Sequence, residues 1–253
     1  MIFAKSEFER RGFEANALYP GQGGSDINGS DVIVLPVPVT RDGVNINCPL
    51  AEEKPPLSIL FELPENIRVF GGGELPLKNY TNYLALEEYA VKNAALTAEG
   101  AISYAIEHTC FSLLGSEILV IGCGRVGKAL SRRLEGFAPR LTVSARSSKD
   151  LALLEISGTD HIRTGDIDRV TKRFDIVFNT VDIKFSSATA QVLAGSLFID
   201  LSSRGGFEED ATVNLPGYIR LPGIPGKTAP QTAGRIIAET VINSLENTGE
   251  KYA

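Results

Sequence analysis

The sequence predicts an α/β protein of two doubly wound domains, the C-terminal one a parallel sheet covered on both faces. Three observations predict it. From Glu117 onward, apolar strand-like runs alternate with helix-periodic stretches, as they do where helices cover both faces of a parallel sheet. The run ILVIGCGRVG at 118–127 breaks into three glycines at the GxGxxG spacing, a pattern expected where a strand turns sharply into a helix. The length of 253 residues exceeds one ordinary layer, at roughly 150 residues per domain. We place a smaller α/β domain for substrate or partner contacts at 1–92, joined by the C-terminal helix at 231–253. The larger domain takes 93–230.

Taken in order, AKSEFERRG at 4–12 reads as a short helix stopped by Gly12, and EANALYP at 14–20 as a strand. VIVLPVPV at 32–39 is a β-branched run ended by prolines, a buried strand entering a loop. SILFELP at 58–64 and IRVFGGG at 67–73 continue the strand rhythm. Helix, strand, strand is an α/β layer without its opening strand, so either the domain starts unusually or the native start lies upstream. NYLALEEYAVKNAALTAEGAISYAIEHT at 82–109 is helical by its apolar spacing, with a break expected at Asn93–Thr97, where Thr97 caps a second helix. Then follow EILVIG, VGKALSRRLEGF, LTVSA, KDLALLEI, DIVFNT, ATAQVLA and SLFIDLSS as strands and helices in turn. YIR, a loop rich in proline and glycine, and an amphipathic helix entered near Pro230 close the chain.

Composition excludes several function classes. The chain is 43% hydrophobic and 22% charged, with 25 basic against 31 acidic side chains and a net charge of −6, so no basic stripe is at hand for nucleic acid. Cys48, Cys110 and Cys123 are odd in number and far apart, which fits neither a disulfide framework nor a zinc site and suits a reducing cytoplasm. The start carries charge in its first ten residues, and no apolar run approaches the roughly 20 residues that span a bilayer. His108 falls near a helix end among apolar neighbours, as a structural histidine does, and His161 lies in a polar stretch. Neither has a serine or cysteine partner at motif spacing, and no metal ligand set stands out.

The glycine triplet carries the functional signal. Gly122 allows the tight turn, Gly124 lets backbone approach a pyrophosphate, and Gly127 lets the helix that starts near Arg125 and Val126 pack on the sheet; the alternative is a plain structural turn. This is the Rossmann-like pattern for a dinucleotide. At the end of the next strand the slot for an acidic residue, which would hold the ribose of NAD, is Ala145, followed by Arg146, Ser147 and Ser148. A guanidinium and two hydroxyls there favour NADP(H), unless Arg146 is a solvated loop residue. Asn179 and Thr180 end one later strand and Asp200 another, where ligands of open sheets bind.

GCGRVGKAL, TVSARSS, FDIVFNT, SLFIDLSSRGG and above all LPGIPGKTAPQTAG, with LPVPVTRDGV and LTAEGAISYAIEHT, resemble the A-subunit family of bacterial dipicolinate synthases. The resemblance runs from about Asp31 to the C-terminal helix. It implies an NADPH-linked oxidoreductase of sporulating bacteria, cytoplasmic in the mother cell. Such an enzyme forms pyridine-2,6-dicarboxylate from 4-hydroxytetrahydrodipicolinate or its dehydrated form, beside the flavoprotein-like B subunit of dipicolinate synthase. The family opens with a strand and glycine turn ahead of the point where this sequence begins. On this resemblance Lys227, in PGKTAP, pairs with a substrate carboxylate or assists proton transfer, unless it is a surface lysine; Thr228 adds a hydrogen bond. Thr97 and Glu99 begin a helix facing an interdomain cleft, Glu99 being a base or a first-turn acid, and Pro36–Thr40, with Pro38, form the opposite wall. A homo-oligomer is expected. Two alternatives stand beside this: a non-catalytic NADP-binding subunit, and a dehydrogenase of another substrate, since PGIPGKTAP is similar to loops of methylenetetrahydrofolate and alanine dehydrogenases.

Overall fold

The computed structural model describes residues 2–16, 29–48, 54–137, 139–207 and 215–247. Contacts divide the chain into Met1–Lys92 with Pro230–Ala253, and Asn93–Ala229.

The first unit holds a three-stranded parallel sheet of β1 (Val32–Val34), β2 (Arg68–Gly71) and β3 (Tyr80–Asn82), in that order. Ile33, Leu35, Val39, Ile46, Leu60, Ile67 and Val69 form its core. The strand expected at 58–64 is instead a single-turn 3-10 helix, Leu57–Phe61. Pro55, Pro56 and Pro64 bracket it and remove donors that a strand ladder needs, and of its apolar residues only Leu60 is buried. No strand forms at 14–16, and the rest of the strand expected there lies outside the described residues. β3, with the polar sequence YTN, carries no apolar alternation and gave no signal. Helix α1 (Ile2–Arg10) packs on α7 (Pro230–Asn247) at Gly234, where a Cβ would stand 2.7–2.8 Å from Phe3 Cβ and Ala4 N.

Helix α2 (Glu87–Glu107) is continuous through the expected break. Thr97 donates its hydroxyl to Asn93 O at 2.9 Å, a bond within the helix rather than a cap, and the alanine-rich NAALTAEGA stretch favours helix throughout.

The second unit is a six-stranded parallel sheet. Its strands are β4 (Glu117–Ile121), β5 (Arg140–Ala145), β6 (Asp160–Arg163), β7 (Ile176–Asn179), β8 (Leu197–Asp200) and β9 (Tyr218–Arg220). Their order is β6-β5-β4-β7-β8-β9, so the winding reverses between β4 and β7. That is the Rossmann order, and it opens a crevice at the carboxyl ends on either side of β4. Between the strands run α3 (Arg125–Leu134), α4 (Ser148–Ile156) and α5 (Ser187–Val192). Residues alternate faces along each strand. Ile118, Val120, Ile176, Phe178 and Ile199 pack with Ala98, Ala101 and Ile102 of α2 and Leu130 and Leu134 of α3. Leu119, Ile121, Val177 and Phe198 meet Ile167, Ala190 and Phe207 on the other face. Burial on both faces is why these strands are apolar without a break. β6 is a polar, mostly exposed edge strand, which explains why His161 reads as loop. The PGIPGKT segment, expected as loop, contains a short helix, α6 (Ile224–Thr228), entered from Gly223 with Pro225 in its first turn. No helix among the described residues is long and apolar enough to cross a membrane.

Candidate functional site

The glycine turn joins β4 to α3. Gly122 has φ +108°, and a Cβ there would lie 2.5 Å from Thr180 Oγ1 and from Val181 Cγ1. A Cβ on Gly127 would collide with the Gly122 carbonyl. These two glycines are therefore required by the turn itself. Gly124 is different: it is the N-cap of α3 and exposed, and a Cβ there would meet nothing within 4 Å. No feature of the fold asks for glycine at 124. A ligand that approaches the backbone closely would have room there. The α3 ladder opens with Lys128 N donating to Gly124 O at 2.9 Å, so by helical geometry the amides of Val126 and Gly127 have no acceptor within the helix. Those amides and the partial positive charge of the helix start make an anion cradle beside exposed Arg125. Cys123, between the glycines, has its thiol pushed up by burial and by Asp150, which keeps it protonated at neutral pH.

Thr180 supports the turn from below, donating its hydroxyl and its amide to Ile121 O, each at 2.9 Å. At the end of β5, Ala145 is buried and Arg146, Ser147 and Ser148 are exposed. Ser147 caps α4: its hydroxyl accepts from Asp150 N at 3.0 Å and donates to Asp150 Oδ2 at 2.6 Å, while Asp150 Oδ1 pairs with Lys128. The Ser147 hydroxyl is thus engaged in the cap. The Arg146 guanidinium has no acidic partner among the described residues. Sequence reasoning missed Arg163: it ends β6 in register with Ala145, and its Nη1 donates to the backbone carbonyl of Arg146 at 3.1 Å, which sets its guanidinium against the strand end that carries Arg146. Reading DHIR as a short edge strand would have found it.

Asn179 and Asp200 are brought together, but they face inward. Both are fully buried, and Asn179 Nδ2 donates to Asp200 Oδ1 at 2.9 Å. Asp200 also accepts from Ser202 N and Oγ, Gly206 N and the Tyr218 hydroxyl, at 3.0, 2.6, 2.6 and 2.5 Å. Burial alone would raise its pKa; the hydrogen bonds from Ser202, Tyr218 and Gly206 outweigh that and hold it below the usual value. Asp200 therefore ties the strand end and the following loop together.

Two expectations for the remaining residues are corrected. Glu99 does not begin a helix; it lies within α2, and its carboxylate pairs with Arg133 at 3.0 Å in the last turn of α3. That arginine is about 12 Å along the helix axis from the glycine turn, at 1.5 Å per residue. The continuous alanine-rich helix is the physical cause, because without a break no new first turn exists. Glu99 instead lines a groove of about 460 Å³ with Ile102, Ile106, Arg133 and Phe137. Lys227 sits on α6, not in a stiff loop; its amine is exposed, and Thr228 donates its hydroxyl to Ile224 O within the same helix. α6 presses Ile224 and Thr228 against Gly100 of α2. In the first unit, Pro38 is exposed, follows a cis peptide bond, and accepts from Asn47 Nδ2 at 3.1 Å through its carbonyl.

No family model matches the chain. Comparison with characterised proteins and solved structures finds relatives all the same. The likeness is to the A subunit of dipicolinate synthase. The chain is 32% identical over 163 residues to the dipicolinate synthase A subunit of Bacillus subtilis, a match covering 63% of this chain and 55% of the relative, so it spans about half that protein's length. The crystal structure of the dipicolinate synthase A subunit from Bacillus halodurans superposes with a TM-score of 0.84 at 23% identity, over 96% of this chain and 93% of that one. The B. subtilis dipicolinate synthase A chain gives 0.78 at 26%, over 90% and 82%. The D-lactate dehydrogenase of Escherichia coli, at a TM-score of 0.58 and 17% identity over 99% and 94%, shares the fold. The resemblance to the dipicolinate synthase A subunit read from the motifs is borne out, and with it the parallel α/β fold class.

Proposed function

We propose that this chain is an NADP(H)-linked oxidoreductase that completes the aromatic ring of pyridine-2,6-dicarboxylate, as its likeness to the dipicolinate synthase A subunit implies. The observation that carries this reading is Gly124, a glycine without a structural reason at the mouth of an anion cradle, with Arg146, which has no acidic partner among the described residues, one strand away. The amides of α3 would hold the pyrophosphate. Arg146, with Arg163 behind it, would hold a 2′-phosphate, and the absence of a carboxylate at position 145 removes the group that repels one. Bound there, the nicotinamide supplies the acceptor for a hydride.

The substrate in this reading is 4-hydroxytetrahydrodipicolinate or its dehydrated form. The hydroxylated ring loses water, and the dihydro ring then loses a hydride and a proton to become aromatic. This chain's own groups bind and orient. The carboxylates of the crevice, Asp182 and Asp200, are engaged by loop amides and hydroxyls, so the proton passes to water or to a partner chain such as the B subunit. Lys227 remains the amine nearest in sequence to the end of β9 and is the proposed electrostatic aid to a carboxylate.

Purified protein supplied with NADP and freshly prepared hydroxytetrahydrodipicolinate should show growth of the reduced nicotinamide absorbance. Lys227→Met should lose turnover while still binding NADPH. Binding of NADPH with no turnover, even with the B subunit added, would reduce the chain to a nucleotide-binding component.

A further inference from the structure

Beyond the glycine turn, the loop after β8 is fastened with unusual density. Five consecutive amides, from Ser202 to Gly206, each donate to a side-chain oxygen. Asp200 takes those of Ser202 and Gly206, and Ser202 Oγ takes that of Gly205 at 3.1 Å. Asp182, on the loop after β7, accepts from Ser203 N at 2.8 Å and Arg204 N at 3.1 Å through one oxygen and from the Ser203 hydroxyl at 2.7 Å through the other. From the far side, Arg220 at the end of β9 donates Nη2 to Ser203 O at 2.9 Å. Its side chain packs against Gly205, with Nε, Cζ and Cδ 3.3–3.5 Å from where a Cβ would stand; with φ +82° there, any other residue would be strained.

The side chain at the tip of this loop is Arg204, which is exposed and has no carboxylate within ion-pairing distance among the described residues. Among the described residues the acid it interacts with electrostatically is Asp182, whose two oxygens are already engaged by the loop. Strand β9 needs no such lacing, since it pairs with β8 through its own ladder. What five tied amides achieve is a fixed backbone from which the planar, permanently charged guanidinium of Arg204 projects, a group whose fork suits bidentate carboxylate recognition. Position agrees. Arg146 ends β5 on one side of β4, and Arg204 follows β8 on the other, two strands or about 10 Å from β4 at the usual spacing. A ligand stretched along the carboxyl edge from Arg146 across the glycine turn ends near Arg204.

We propose that Arg204, steadied by Arg220, is a carboxylate-binding site for the dianionic substrate. Naming the ligand rests on the oxidoreductase reading above; the anion site itself rests on the loop. Arg204 binds and orients, and Arg220 positions.

The test uses the full chain and two probes, NADPH followed by fluorescence and pyridine-2,6-dicarboxylate followed by calorimetry on NADPH-saturated protein. Arg204→Gln should weaken dicarboxylate binding about 10- to 100-fold, the range for losing charge-assisted bonds, and leave NADPH affinity unaltered. Arg204→Lys should recover only part of it, because an ammonium has no fork. Retained NADPH binding shows that each variant is folded. Unaltered dicarboxylate binding in Arg204→Gln, or no dicarboxylate binding by NADPH-saturated native protein, would overturn the site. Failure of native protein to bind NADPH would instead strike the oxidoreductase reading, while a dicarboxylate affinity measured without NADPH and lost in an Arg204→Gln variant that is folded by circular dichroism would still uphold the site.

Discussion

Asp200 and Arg146 stand at the carboxyl edge of one sheet and do opposite kinds of work. Asp200 is fully buried and accepts five hydrogen bonds, so Asp200→Asn sets an amide where an anion faced donors; destabilisation at neutral pH should be about 2–3 kcal/mol, measured by denaturant unfolding. The pH dependence has a definite sign. The folded pKa of Asp200 is depressed, so its stabilisation is whole above the usual value near 3.8 and is lost as pH falls through the lower folded value. The gap between native protein and Asp200→Asn should therefore narrow only below about pH 4. A constant gap down to acid unfolding would mean that the carboxylate charge is immaterial. The Arg146 guanidinium, by contrast, has no acidic partner among the described residues. Arg146→Asp should leave the melting temperature alone and weaken NADPH on the order of 10- to 100-fold while sparing NADH, as read by fluorescence titration.

The turn from β4 into α3 separates ligand from scaffold at the scale of an element. Gly127→Ala, whose methyl would run into the Gly122 carbonyl, should destabilise by about 3 kcal/mol, whereas Gly124→Ala should change stability by no more than about 0.5 kcal/mol yet cut dinucleotide affinity. If both variants keep full affinity, the cradle is only a bend. This turn was legible in the sequence because strand, glycines and helix fall within ten residues and each leaves a local mark. The apolar strands of the second unit were legible for the same reason. What escaped were features set by distant neighbours. β3 and β6 are polar edge strands defined by their pairing alone, SILFELP is held from strand geometry by its prolines, and α2 runs through Thr97 because alanine propensity and burial exceed the pull of a cap. At the site, the glycines fall at the turn from β4 into α3 and Arg146 just after β5, where the sequence puts them. The pairing of Glu99 with Arg133, thirty-four positions on, and the inward turn of Asp200 had no local trace.

For the molecule as a whole, every residue of the proposed cradle and of the carboxylate site falls within Asn93–Ala229, and this segment buries its own two-faced core. Expressed alone, it should bind NADPH with the affinity of the full chain; a fragment that is folded by circular dichroism but does not bind would show that the first unit contributes directly. In the intact protein, NADPH at a hundred times its dissociation constant should add about 2.7 kcal/mol, visible as a rise in the melting temperature.

The smaller unit is assembled from both stretches that flank this segment, with α1 seated on α7 across Gly234. Translation makes those two helices far apart in time. The ribosome delivers α1 and the strands that follow it, then the complete middle of the protein, and only then the helix against which α1 closes. Helix α1 must therefore wait, with the face that carries Ala4 uncovered, while the middle of the chain folds ahead of its partner, and in the cell that interval is when a holding chaperone would find this chain.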